Sequence, residues 1–201
     1  GRGCSTPEGD YALAMHVLLC LLLSTSFAAD PFDVRFETTE GPVVVRFHPD
    51  WAPEGTRRVR ALVDDGFYDD VTFHRVLKGF MAQFGIPADP TKADDYPAIP
   101  DDPVTQRNTR GRVTFATSGP NRRTTQLFVN TADNSSLDAQ GFAPVGEVVE
   151  GMKAIDKLFH RYGDGAPRGR GPDQRKAKEQ GNAYLEAFPK LDRITRARVV
   201  D

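Results

Sequence analysis

Cysteine is nearly missing from this 201-residue chain: there are two, Cys4 and Cys20, both in its first tenth. A fold stapled by disulfides is thereby excluded. Charge of one sign is also scarce, with 26 Lys+Arg against 28 Asp+Glu and a net charge of -2. That balance argues against a nucleic-acid partner, which usually needs a basic face. The four histidines (His16, His48, His74, His160) are dispersed with no metal-ligand spacing, so no metal is expected. The chain has no G-x-S-x-G elbow and no phosphate-binding Gly-x4-Gly-Lys-Ser/Thr loop, and no cofactor is expected. Long hydrophobic runs are limited to VLLCLLL at 17–23, too short for a bilayer span of about 20 apolar residues.

That run, with Ser26, Ala28 and Ala29 after it, has the form of a secretory signal core and its small-residue cleavage site. The expected organisation is therefore upstream residues plus signal peptide over 1–29, and one domain over 30–201. A periplasmic or secreted location and no stable membrane span in the mature form are expected. A buried apolar element is the plainer alternative for 17–23. A lipid anchor on Cys20 is a third, against which stands the bulky Leu19 before it.

What is present is a turn-rich β pattern, with 18 glycines and 15 prolines. Strands are expected at 33–38, 42–47, 72–77, 112–117, 126–131, 144–149 and 193–199, the first two joined as a hairpin through Thr39-Glu40-Gly41. In the last of these, Thr195, Ala197 and Val199 are expected on one face. Helices are expected at 52–65, with Pro53 in its first turn, at 151–159 with Met152, Ile155 and Leu158/Phe159 inward, and as a polar segment at 173–187. Residues 86–110 and 163–172 read as loops. Arg168 and Arg170 in the second loop read as solvated charges. Many short strands with few helices indicate a β-dominated barrel or sandwich.

Two stretches stand out. Residues 73–85 read FHRVLKGFMAQFG, and strict alternation puts Arg75 on the face of Phe73, away from His74. A fixed cation and an amide, Gln83, thus stand near the apolar Phe80 and Met81. The second stretch, FATSGPNRRTTQLF at 115–128, is followed by Leu137 and Gly141-Phe142. Taken singly, Arg75 reads as a solvated strand arginine, the phenylalanines and Met81 as core, and the glutamines as surface amides.

Together the two stretches resemble the cyclophilins, the cyclosporin-binding class of peptidyl-prolyl cis-trans isomerases. The resemblance rests on Phe73-His74-Arg75, Gly79-Phe80-Met81 and Gln83, then Gly119-Pro120-Asn121 and Gln126-Leu127-Phe128, and covers about 33–200. The ending, GAPRGRGPDQ and then GNAYLEAFPKLD, resembles a bacterial, exported branch. The resemblance implies a mainly β fold: a closed eight-stranded antiparallel barrel capped by two helices, with an extra C-terminal helix and the site on its outer face. It implies Arg75 as catalytic arginine, Gln83 as the amide that grips the substrate backbone, and Gln126 as a supporting amide. Phe80, Met81, Phe128 and Leu137 would form the proline pocket, Phe142 its rim, and Ala116 and Thr117 the backbone contacts. The implied function is prolyl isomerisation in exported polypeptides, by a monomer acting on proline-containing, unfolded or flexible chains. A proline-peptide binding or holdase module with little turnover is the alternative. Ser136 stands where many members carry Trp, Phe142 near where many carry His, and Phe84 where a Gly follows the glutamine; weakened cyclosporin binding is expected.

Overall fold

The computed structural model describes Gly1 and residues 30–200; the segment read as a signal peptide lies outside the described residues. Nine strands form a single antiparallel sheet: β1 (Phe32–Thr38), β2 (Gly41–Phe47), β3 (Val71–Thr72), β4 (Arg75–Leu77), β5 (Met81–Phe84), β6 (Arg112–Phe115), β7 (Leu127–Asn130), β8 (Pro144–Glu150) and β9 (Arg193–Val200). Their order is β3-β9-β1-β2-β8-β6-β7-β5-β4. The first and last strands of that order are consecutive in the chain, separated only by Phe73 and His74. The sheet therefore curls until its two ends meet at that dipeptide.

Alternation explains the inside of the curl. Val34 and Phe36 of β1 and Val43, Val45 and Phe47 of β2 are buried, while Asp33 and Arg46 pair on the outside as cross-strand partners. Phe73, Phe84, Val113, Phe115, Leu127, Val129 and Val145 complete the filling, with a residual void of ≈ 10 Å³. The interior is a packed core and not a ligand chamber. Phe84, the odd residue after Gln83, points into this core, where its ring meets Phe36, Tyr68 and Phe73 at 5.9, 5.5 and 5.3 Å.

Helix α1 (Pro53–Asp64) buries Val59, Leu62 and Val63 against the sheet. Ala52 offers it no side-chain cap; instead Asp102 reaches across from the 86–110 loop and accepts from the N–H groups of Glu54 and Gly55 at 3.0 and 2.8 Å. The same carboxylate accepts from buried Arg123 at 3.0 Å. This loop, with one 3₁₀ turn at Pro90–Lys92, is thus tied down at depth. Helix α2 (Met152–Lys157) buries Ala154 and Ile155, with Leu158 just beyond.

Four expectations change. The 72–77 strand is split: Phe73 N–H donates to Asp192 beside β9, whereas Arg75 pairs with Gln83 of β5. The chain crosses between two neighbours there, which breaks the alternation; this split and the unexpected β5 turn the seven expected strand segments into nine. Phe73 consequently faces the core while Arg75 faces outward. Second, Thr195 is exposed and Ile194 and Ala197 point inward, because a bulge opposite Glu37/Thr38 shifts the register. Third, the 173–187 helix is two, α3 (Gln174–Gln180) and α4 (Asn182–Leu185). Gly181, at the positive, non-helical φ of 58, ends α3, and a Cβ there would stand 2.3 Å from the Ala88 carbonyl, so the break falls at a glycine. Fourth, Phe159 leaves the α2 face and stacks edge-on against Tyr162.

Candidate active site

The site lies on the outer face of β4, β5, β6 and β7. Register sets one cross-sheet row there: Arg75 opposite Gln83, Gln83 opposite Phe128, and Phe128 opposite Thr114. Met81 is two residues before Gln83 and shares its face, while Ala82 and Phe84 between them fill the core. All four residues of β5 are therefore buried although the strand has two faces in use. Its sequence, MAQF, has no β-branched residue, so no strand was expected at 81–84.

A cleft of ≈ 260 Å³ opens over this row. Arg75, Phe80, Met81, Gln83, Ala116, Thr117, Phe128, Leu137 and Phe142 all line it. Gln126 lines the adjoining groove with Ser118, Arg122 and Thr124. Ser136 is exposed on the 3₁₀ turn Ser135–Gln140, next to Leu137. The rings of Phe128 and Phe142 meet edge-on at 6.0 Å and form one apolar corner.

The polar end of the cleft is a relay. Arg75 Nη1 donates to Gln83 Oε1 at 3.1 Å, and Gln83 Nε2 donates to Gln126 Oε1 at 2.8 Å. Gln83 is buried, with both ends of its carboxamide engaged by neighbours, so in this structure its partners are Arg75 and Gln126. Arg75 Nε and Nη2 donate to the two carboxylate oxygens of Asp164 at 2.8 and 3.2 Å. Hydrogen bonds from Arg75 hold the Asp164 carboxyl below the usual carboxylate range, against the opposing effect of its partial burial. His74, beside Arg75, is fully buried, and neither ring nitrogen has a hydrogen-bond partner. Burial first, and the Arg75 charge second, push its imidazole down to about 3, so it is neutral at working pH.

Sequence reading missed two sets of residues. Asp164, Arg168 and Gln174 line the cleft from the glycine-rich 163–174 segment. The signal was slight, an acid, Asp164, set between two glycines, and Arg168 is indeed exposed. The second set is a buried amide network under the apolar walls. Asn134 Nδ2 donates to the Phe80 carbonyl at 2.8 Å and to Asn130 Oδ1 at 2.7 Å. Asn108 Nδ2 donates to Asp138 Oδ1 and to the Phe142 carbonyl, both at 2.8 Å, and Asn108 Oδ1 accepts from Thr114 Oγ1 at 2.7 Å. Asn108 lies in the stretch read as a loop and Asn130 near the end of an expected strand, and only the fold brings them together and buries them.

A curled antiparallel sheet with an arginine-and-phenylalanine cleft on its outer face defines a cyclophilin-like protein. The family model described as "Cyclophilin type peptidyl-prolyl cis-trans isomerase/CLD" matches residues 33–178. The chain is 36% identical over 135 residues to peptidyl-prolyl cis-trans isomerase B of Escherichia coli, covering 62% of this chain and 82% of that one. It is 35% identical over 162 residues to a probable peptidyl-prolyl cis-trans isomerase of Brucella abortus, covering 73% and 82%. Among solved structures, a cyclophilin-type isomerase of Cryptosporidium parvum matches with a TM-score of 0.63 at 18% identity, over 86% of this chain and 99% of that one. A cyclophilin from Hirschia baltica matches with a TM-score of 0.64 at 21% identity, over 84% and 75%. The chain belongs to the cyclophilin-type family, and it is a peptidyl-prolyl cis-trans isomerase.

Proposed function

We propose that Arg75 catalyses prolyl isomerisation by stabilising the twisted amide, and that the substrates are flexible, proline-containing segments of exported polypeptides. The observation that carries the mechanism is the position of the Arg75 guanidinium at the polar end of a cleft whose other walls are Phe80, Met81, Phe128, Leu137 and Phe142.

Rotation about a peptide C–N bond costs about 18–20 kcal/mol because resonance is lost. In the twisted state the prolyl nitrogen becomes pyramidal and regains a lone pair. A guanidinium N–H directed at that nitrogen interacts with the twisted form more strongly than with either planar isomer. Such differential binding lowers the barrier without any covalent step. The apolar walls hold the prolyl ring, which leaves the preceding segment to rotate. Burial keeps His74 neutral, so the residue next to Arg75 in the chain adds no charge beside it.

A second C. parvum structure, of the same isomerase in the presence of the dipeptide Ala-Pro, matches with a TM-score of 0.62 at 18% identity over 84% of this chain. That supports a proline-containing peptide as the ligand class. Export rests on the apolar run at 17–23 and the small residues after it. Among the described residues, Val149 is the one large apolar side chain that is exposed, which supports action as a monomer. Exchange NMR on an Ala-Pro peptide tests turnover. Line-broadening of peptide signals without cis–trans exchange would identify a binding module instead. Mass spectrometry of the N-terminus of protein recovered from an exporting host tests export: a start near Asp30 is expected, and retention of residues 17–29 would refute it.

A further inference from the structure

We propose that Asp164 is a positioning residue for this reaction, holding the Arg75 guanidinium in one orientation at the mouth of the cleft. The inference deepens the reading of Arg75 as the catalytic cation and rests on it. A guanidinium carries five N–H groups in a planar fork. Two are taken by Asp164, from Nε at 2.8 Å and Nη2 at 3.2 Å, and a third by Gln83 at 3.1 Å. Side-on pairing through both carboxylate oxygens fixes the plane of the group as well as its position. The side chains of Arg75 and Asp164 are only 21% and 16% exposed, so water competes weakly for these bonds. The two N–H groups left over are the ones available to a substrate.

The loop that presents Asp164 is closed directly on its backbone. The Asp164 carbonyl accepts from Gly171 N–H at 2.8 Å, and the Gly165 carbonyl accepts from Arg168 and Gly169 N–H at 3.1 and 3.2 Å. A Cβ on Gly169 would stand 2.2 Å from the Asp164 oxygen and 2.8 Å from its nitrogen, so no other residue allows this approach. At the loop base, Tyr162 packs edge-on between Phe159 and Phe188 at 5.0 and 5.3 Å. Exposed Arg168 adds a longer contact of 3.4 Å to the same carboxylate. A merely solvated loop needs none of this. The rival reading is a strap, in which the ion pair serves only to pin the loop to the sheet.

The test uses the full chain and four variants: Arg75→Ala, Asp164→Ala, Asp164→Asn and the Arg75→Ala/Asp164→Ala double variant. Exchange NMR on an Ala-Pro peptide gives kcat and KM, and the Arg75 Nε–H resonance, assigned by its loss in Arg75→Ala, reports guanidinium order. Asp164→Ala is expected to lower kcat about tenfold, the scale of a misoriented catalytic group, with KM changed by less than about twofold. Asp164→Asn, which keeps shape and one acceptor, should fall between the two and serves if the alanine variant does not fold. The Nε–H signal should broaden in both. In the Arg75→Ala background the Asp164 change should add nothing. An unchanged or raised kcat in the folded Asp164 variants overturns the proposal, as does an equal loss in the Arg75→Ala background, which is the strap's signature. Full activity in Arg75→Ala would instead overturn the catalytic reading of Arg75; an inactive Arg75→Ala with normal Asp164 variants overturns only the positioning role.

Discussion

Arg75 and Gln83 are direct cross-strand partners on β4 and β5, and the guanidinium donates to the carboxamide oxygen at 3.1 Å. The pairing puts the cation on the outer face, against the apolar floor built by Met81 and Phe128 of the neighbouring positions. If Arg75 acts on the prolyl nitrogen as proposed, Arg75→Ala removes that donor, and kcat/KM on a prolyl peptide should fall at least about 100-fold. Circular dichroism should show the fold kept, since Arg75 lies outside the core. A folded variant with more than about a third of wild-type activity would contradict the mechanism.

Activity should be nearly flat between about pH 6 and 9, where an unperturbed histidine would titrate. His74 is held neutral down to about 3 and the Asp164 carboxyl is already ionised. A bell-shaped profile with an inflection near 6.5, the free imidazole value, would implicate His74 in the chemistry.

Stability should respond to pH where activity does not. His74 binds its proton at about 3 when folded and at about 6.5 when unfolded. Its folded value is depressed, so its contribution is whole above pH 6.5, where both states are neutral. As pH falls below 6.5 the unfolded state takes up a proton that the folded state does not, and stability is lost progressively toward pH 3. His74→Leu should shallow the fall of Tm over that range relative to wild type. Parallel Tm–pH curves for the two proteins would refute the assignment.

Asn108 is fully buried and joins Thr114, Asp138 and the Phe142 carbonyl. Asn108→Ala leaves those partners unpaired, which should cost about 1–3 kcal/mol in urea unfolding. Because the network seats Phe142, and through Asn130 and Asn134 also Phe80, KM should rise while Arg75 keeps its ion pair. A loss of stability with unchanged KM would separate the network from the cleft.

Ser136 is exposed beside Leu137, a cleft residue, and offers neither the apolar area nor the N–H donor of an indole. Ser136→Trp should therefore tighten cyclosporin binding at least about tenfold, or about 1.4 kcal/mol. Calorimetry is the suitable readout. Trp51, the only native tryptophan, is stacked on His48 at 3.7 Å and covered by Arg112, and it does not line the cleft. Equal affinities of wild type and variant would show that this wall does not govern drug binding.

The sequence alone determined most of the strand pattern and the cleft roster. The hairpin at 33–47 is legible because alternating Val and Phe must be buried on one face. Arg75, Phe80, Met81, Gln83, Ala116, Thr117, Phe128, Leu137 and Phe142 could be named because the two motifs resemble the cyclophilin signatures, and these nine line one cleft. Tertiary structure decided the rest. The break at Phe73-His74 exists because the chain must pass from β9 to β5, a demand set by neighbours far away in sequence. Thr195 turned outward because a bulge depends on the register with Glu37 and Thr38. Asp164 reached Arg75, 89 residues away, only through a loop whose glycines admit close backbone contact. Local pattern reports which face a residue prefers; partners across long separations are chosen by packing, and Asp164, the carboxylate paired with Arg75, is of that second kind.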